Sequence, residues 1–204
     1  MTMSLLVVRN QLPFYSGPND GGRYDLSHAC STCGTGAKRV DPIRLPTDCL
    51  PDEVSITLKF QVVVPPRLID KLRAICPKCL REIHDVKTGA TSQFYELTAE
   101  TTLPRFSSAT TGYAIEMQCP VCKRDGYFNV PKVPLLLAYD QELQPFQVAE
   151  TYEAFGNSRL RPAFKENNFA APYLVLGRDM QKVLENEPGI EFYPVPRQNS
   201  SERG

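Results

Sequence analysis

The sequence predicts an α+β protein, a mixed sheet with strand–helix–strand units organised around cysteine knuckles. Three observations carry this reading. Six of the seven cysteines fall in CxxC pairs: Cys30/Cys33, Cys76/Cys79 and Cys119/Cys122. Runs rich in β-branched and aliphatic residues, such as VSITLKFQVVV at 54–64 and PYLVL at 172–176, read as strands. Two amphipathic segments follow strand-like runs directly, RLIDKLRAI at 67–75 and RDMQKVLENE at 178–187, and their apolar residues recur at helical spacing.

Taken in order, residues 4–9 (SLLVVR) form a first strand, and 11–22 are turn-rich, with Pro13, Gly17, Pro18, Gly21 and Gly22. Residues 24–29 lead into the first cysteine pair. The stretch 38–45 leaves it as an edge or irregular strand, because Pro42 lacks a backbone donor. Cys49 lies in a proline-bounded loop at 45–52 and reads as a packed thiol. A long strand at 54–64 is stopped by Pro65 and Pro66, and Pro66 opens a helix whose inner face carries Leu68, Ile69, Leu72 and Ile75. A β run at 94–102 and a loop at 103–108 precede the strand 113–118, which is expected to deliver Cys119 and Cys122 at its end. Residues 127–137 are extended, since Pro131 and Pro134 forbid a helix.

Val148, Tyr152 and Phe155 are spaced i, i+4, i+7 and predict a short helix ended by Gly156. A strand at 172–176, a helix at 178–187 with Met180, Val183 and Leu184 inward, and a strand at 190–195 complete the pattern; 197–204 is a polar tail. The cysteines stop before Gly126, so the chain divides into a metal-binding β-rich region, 1–126, and an α+β region, 127–204, packed together as one globular unit. The strand-then-helix order at 60–75 echoes that at 173–187.

Two thiols three residues apart form half of a tetrahedral zinc site, and Gly34 lets the chain curl around the ion. Four thiolates complete a shell, so three pairs cannot share one ion. The favoured set is Cys30, Cys33, Cys119 and Cys122; the alternative joins Cys76 and Cys79 to Cys119 and Cys122. A second site of Cys76, Cys79, His84 and Cys49 also has acceptable ligand spacing, so the expectation is one Zn2+, or two. His28 reads as a non-ligand beside a complete set. Reduced structural thiols, disulfides or a thioredoxin-like pair are the other readings, and no βαβ pattern precedes any CxxC to favour the last.

Lys and Arg together balance Asp and Glu, 23 against 23, which argues against a strong nonspecific polyanion binder. An apolar share of 42% and a charged share of 23% are ordinary for a globular protein. Residues 1–8 are too short for a signal-peptide core, no apolar run reaches membrane-spanning length, and CxxC pairs fit a reducing compartment; the expected location is cytoplasmic. The stretch 34–38 (GTGAK) lacks the order of a phosphate loop, with Arg39 where Ser or Thr belongs. HExxH, GxSxG and a deaminase His-x-Glu are all missing. A four-thiolate site also has no open position, so the protein reads as a non-enzyme.

The CxxCG at 30–34, the CxxC at 119–122, Asn168-Phe169, the strand 173–176 and the tail Glu191-Phe192-Tyr193-Pro194-Val195 together resemble the bacterial double-CxxCG motif proteins, over about half the chain in outline. The second pair departs from that pattern, since Lys123 stands where the glycine belongs, and Cys76/Cys79 is extra. The resemblance supports pairing Cys30/Cys33 with Cys119/Cys122. It implies a protein-binding role, including that of an immunity protein that occludes a cognate toxin. Arg159, Arg161 and Lys165, beside the aromatics of 152–169, are the expected partner-binding residues, since arginine and aromatics are enriched at binding hot spots. The rival expectation is a zinc-ribbon nucleic-acid module, because Lys38, Arg39, Lys78, Arg81, Lys123 and Arg124 flank the knuckles.

Overall fold

The computed structural model describes residues 3–13, 23–158 and 169–196. Their elements are β1 (Met3–Val8), β2 (Tyr24–Asp25), β3 (Lys38–Arg39), β4 (Ile43–Leu45), β5 (Ser55–Ile56), β6 (Val62–Val64), α1 (Pro66–Ile75), β7 (Leu80–Asp85), β8 (Thr91–Leu97), β9 (Thr101–Thr102), β10 (Tyr113–Ile115), β11 (Tyr127–Asn129), β12 (Val148–Phe155), β13 (Ala171–Gly177), α2 (Arg178–Leu184) and β14 (Ile190–Pro194). The protein is thus mixed α/β, mostly sheet with two α-helices among the described residues.

The strands form two principal sheets where one mixed sheet was expected. The larger runs β10-β11-β12-β13-β1-β14, with β9 on β12; the smaller runs β4-β7-β8-β6-β5, and β2-β3 is a separate ribbon. The helices hold the two sheets together. Leu68, Ile69 and Leu72 of α1 share one buried cluster with Met180 and Leu184 of α2, with Leu6, Val148 and Leu176 of the larger sheet, and with Val62, Val64 and Leu97 of the smaller. Each such buried aliphatic contributes about 1.5–3 kcal/mol relative to exposure. α1 begins where the paired prolines place it, with Pro66 in the first turn, and it ends at Cys76, whose φ of −146° leaves the helical region. The opposite face of the larger sheet is closed by Leu103, Leu135, Leu137 and Tyr139.

The boundary expected near 126 falls between β10 and β11, which are hydrogen-bonded neighbours, and β1 lies between β13 and β14. Both segments therefore contribute to one sheet.

The expected helix over 148–155 is instead β12, paired antiparallel to β13. The physical reason is burial on both faces. Val148 packs in the cluster containing the helices, while Ala149 and Phe155 pack in the opposite one. A strand covered on both sides loses the alternating signature and cannot be told from a helix by periodicity. The expected long strand 54–64 is a hairpin of β5 and β6. The Thr57 hydroxyl accepts the backbone N–H groups of Lys59 and Gln61, each at 3.2 Å, which curls the chain between the strands. The strand leading to Cys119 also stops early, at Ile115, before a left-handed Met117 with φ of 47°. Cys49, expected to be packed, is exposed. The polar tail 197–204 lies outside the described residues.

Candidate metal centre

The first knuckle hangs in the loop between β2 and β3. Its turn is closed by the Gly34 N–H donating to the Cys30 carbonyl at 2.8 Å, and the Cys30 N–H donates to the Thr35 carbonyl at 2.9 Å. Gly34 sits at φ of 83°, a left-handed conformation that glycine adopts without steric cost. The second knuckle, between β10 and β11, repeats the turn: the Lys123 N–H donates to the Cys119 carbonyl at 3.1 Å. The residue after the second CxxC is also left-handed, Lys123 at φ of 52°. The backbone thus keeps the geometry that the missing glycine would have served, at a cost of about 1 kcal/mol or more for an L-residue with a Cβ. Lys123→Gly is accordingly expected to stabilise the protein by roughly 1 kcal/mol, less the entropy glycine adds to the unfolded chain. A thermal melt checks this, and a melting temperature that falls would contradict the strain reading.

The two knuckles bring four sulfurs together. The ligand atoms of Cys30, Cys33, Cys119 and Cys122 all lie within 4.8 Å of one another. Cys30 Sγ is 4.0 Å from Cys119 Sγ, and Cys33 Sγ is 3.6 Å from Cys122 Sγ. A tetrahedron with zinc–sulfur bonds of ~2.3 Å has an edge of about 3.8 Å, so these separations suit one ion at the centre. The group can hold a metal ion such as zinc. Four sulfurs fill a tetrahedral shell and leave no position for water or substrate, so such an ion serves structure.

Electrostatics point the same way. Burial pushes the Cys33 thiol up to about 12 and also raises Cys122. At Cys30 burial acts in the same upward direction, but the backbone N–H groups of Cys33 and Thr32 outweigh it and bring the thiol down to about 7. Thiols raised by burial, as Cys33 and Cys122 are, do not ionise side by side without a compensating cation, and a bound metal would supply it.

Asp125 locks the second knuckle in place, a role its sequence position alone does not announce. Its buried carboxylate accepts the Cys119 N–H at 2.9 Å and the Ser158 N–H at 3.0 Å, tying the knuckle to the loop that follows β12. The sequence signal was an Asp three residues past the last cysteine, in a position to accept backbone N–H groups. Arg124 stacks over the Tyr152 ring at 4.2 Å, and the Arg105 guanidinium donates to the Cys122 carbonyl at 3.3 Å.

The third pair is placed elsewhere. Cys76 and Cys79 follow α1, are buried in the cluster that joins the sheets, and are paired with each other as a disulfide. The second set expected for them does not assemble. Cys49 is exposed beside Asp48, and His84 contacts Glu82 and Thr91. Nor do they approach Cys119 and Cys122, because α1 carries them into the helix-lined core while β10 and β11 hold the second knuckle at the far edge of the larger sheet. Among the described residues, the four-cysteine group is the one metal-competent cluster of three or more His, Cys, Asp or Glu side chains. His28 is outside it. The predicted partner residues Arg159, Arg161 and Lys165 lie outside the described residues.

Several basic residues flanking the knuckles are engaged within the protein. Arg81 makes a bond of 2.7 Å to Glu96, and Lys38 lies 3.2 Å from Glu150. Among the described residues no helix is long and apolar enough to cross a membrane. The chain matches no known family model, no curated protein and no solved structure.

Proposed function

We propose that the protein is a zinc-stabilised, non-enzymatic protein-binding protein of the double-CxxCG type, acting in the cytoplasm as an immunity protein that covers the active site of a cognate bacterial toxin. The single observation that carries this reading is the four-cysteine group at tetrahedral spacing. A closed shell supports a metal that stiffens a surface and gives no support to metal catalysis. The paired state of Arg81 and Lys38, and the stacking of Arg124, weigh against a phosphate-binding face around the knuckles.

The test has two readings. Protein purified without chelator is expected to carry about one equivalent of zinc, and a content below roughly half an equivalent would remove the structural-metal premise. Co-expression with the protein encoded by the neighbouring gene is expected to give a stable complex and to relieve that protein's toxicity. A neighbour-encoded protein that neither binds nor harms the cell would overturn the immunity role. Salt-sensitive binding of an oligonucleotide in its place would establish the nucleic-acid role.

A further inference from the structure

Glu153 is buried where β12 is irregular. Between the pairs Glu150–Leu174 and Ala154–Pro172, three residues of β12, Thr151, Tyr152 and Glu153, stand opposite the single Tyr173 of β13. Such a bulge re-aims side chains and leaves backbone groups to be satisfied from elsewhere. The Thr151 hydroxyl closes it from within, accepting the Tyr173 N–H at 3.1 Å and donating to the Glu153 carbonyl at 2.6 Å. The second knuckle closes it from outside. The Ala154 N–H donates to the Arg124 carbonyl at 2.7 Å, and Arg124 Nε donates to the Tyr152 carbonyl at 3.2 Å.

The Glu153 residue is 2% exposed. One carboxyl oxygen, Oε1, accepts the Phe106 N–H at 3.2 Å, which ties the loop between β9 and β10 to the bulge. Arg105 of the same loop donates to the Cys122 carbonyl and so also holds the knuckle. The other oxygen, Oε2, meets no hydrogen-bond partner among the described residues. A charge there is left uncompensated in burial, and a proton removes the charge. The surrounding groups do not change this. Tyr127 of β11 and the buried Tyr139 are phenols that burial keeps neutral, and the Tyr139 hydroxyl is itself without a partner among the described residues. Tyr173 of β13 is engaged by Asn129 at 2.7 Å. Arg105 and Arg124 favour the charged form but are stacked over the Tyr152 ring, at 5.2 and 4.2 Å. Burial therefore pushes the Glu153 carboxyl up, against the weaker pull of the Glu153 and Phe106 N–H groups and the two arginines.

We propose that Glu153 is a proton-operated latch: its neutral carboxyl keeps the Phe106 loop seated on the β12 bulge, and loss of the proton unseats that loop and loosens the second knuckle. The connections are continuous. An ionised Oε2 draws toward water, and the Phe106 N–H loses its fixed acceptor. Arg105, the preceding residue, holds the Cys122 carbonyl, and Arg124 holds the bulge itself. The direction in pH follows from burial. A carboxyl that keeps its proton to higher pH in the folded protein than in the unfolded chain gives stability that is complete below the ordinary carboxylate range. That contribution is lost as pH rises through the folded value. The latch is thus closed in acid and opens toward alkaline pH. Thiolate ligands behave in the opposite way, since acid protonates them and releases their metal. The device does not depend on what the protein binds.

The test compares the full-length parent, with zinc in excess, to Glu153→Gln, which keeps an acceptor for the Phe106 N–H and cannot ionise. Chemical denaturation is followed from about pH 4.5 to about pH 8.5. The ratio of the parent's unfolding constant to the variant's is expected to rise at least about fivefold over this range, as a shift of one pKa unit requires. The metal and the other titrating groups are common to both proteins and leave the ratio. Hydrogen exchange at about pH 8 is expected to show the Phe106, Ala154 and Lys123 amides about tenfold less protected in the parent than in the variant. A third reading needs no variant. The carbon-13 carboxyl resonance of Glu153 is expected to titrate above the ordinary glutamate value of about 4.3. A flat ratio, equal protection of Ala154 and Lys123 in the two proteins, or a carboxyl that titrates at the ordinary value would each overturn the proposal. The last of these decides even where the variant fails to fold.

Discussion

Cys119→Ser is expected to strip the metal and abolish the cooperative thermal transition of the native protein. Zinc bound by four thiolates contributes an apparent ~10–16 kcal/mol in small zinc-dependent folds at neutral pH. A domain of ordinary stability has only about 5–15 kcal/mol in total. Loss of one ligand forfeits much of the first sum, and it leaves the sulfurs of Cys30, Cys33 and Cys122 in partial burial without a cation. The effect should spread beyond the knuckle, because the neighbouring Asp125 links it to Ser158, three residues past the end of β12 of the larger sheet. Cys30→Ser should behave alike. Cys49→Ser is the control: its thiol is exposed, and the change is expected to stay within about 0.5 kcal/mol. Metal analysis and circular dichroism on the three variants decide the matter. A Cys119→Ser protein that keeps its zinc and melts like the parent would move the metal to other ligands.

Asp125→Ala is expected to destabilise the protein by about 3 kcal/mol or more, since hydrogen bonds to a charged group are worth roughly 1.5–3 kcal/mol each and two buried N–H groups lose their acceptor. The carboxylate is almost wholly buried, with 2% exposure, so water cannot replace it without rearrangement. Because one of those N–H groups belongs to Cys119, the same variant should also hold zinc about tenfold or more less tightly, in the manner of other changes just behind metal ligands. Asp125→Asn keeps an acceptor oxygen for one of the two donors and is expected to fall between the parent and Asp125→Ala. Chemical denaturation read together with chelator competition separates the two effects. A change in stability without any change in zinc retention would mean that Asp125 supports the sheet and not the knuckle.

What could be read from the residues alone was what neighbours along the chain settle among themselves. The turns at Cys30/Cys33 and Cys119/Cys122 are each closed by a hydrogen bond reaching four residues on, so both were recognisable as knuckles from spacing. Pro66 marked the start of α1, and the apolar face of Leu68, Ile69 and Leu72 marked its buried side, because both signals fit inside three helical turns. The strand–helix–strand order of β13, α2 and β14 was legible for the same reason. Tertiary structure decided what depends on distant partners. Cys30 and Cys119 are 89 residues apart, and their meeting follows from how the β2–β3 ribbon and the β10–β11 pair are placed, which no local pattern encodes. Cys76 and Cys79 have the same spacing as the knuckles, yet α1 draws them into the apolar cluster between the sheets, away from the other thiols. β12 was mistaken for a helix because contacts on both of its faces erase the alternation that identifies a strand.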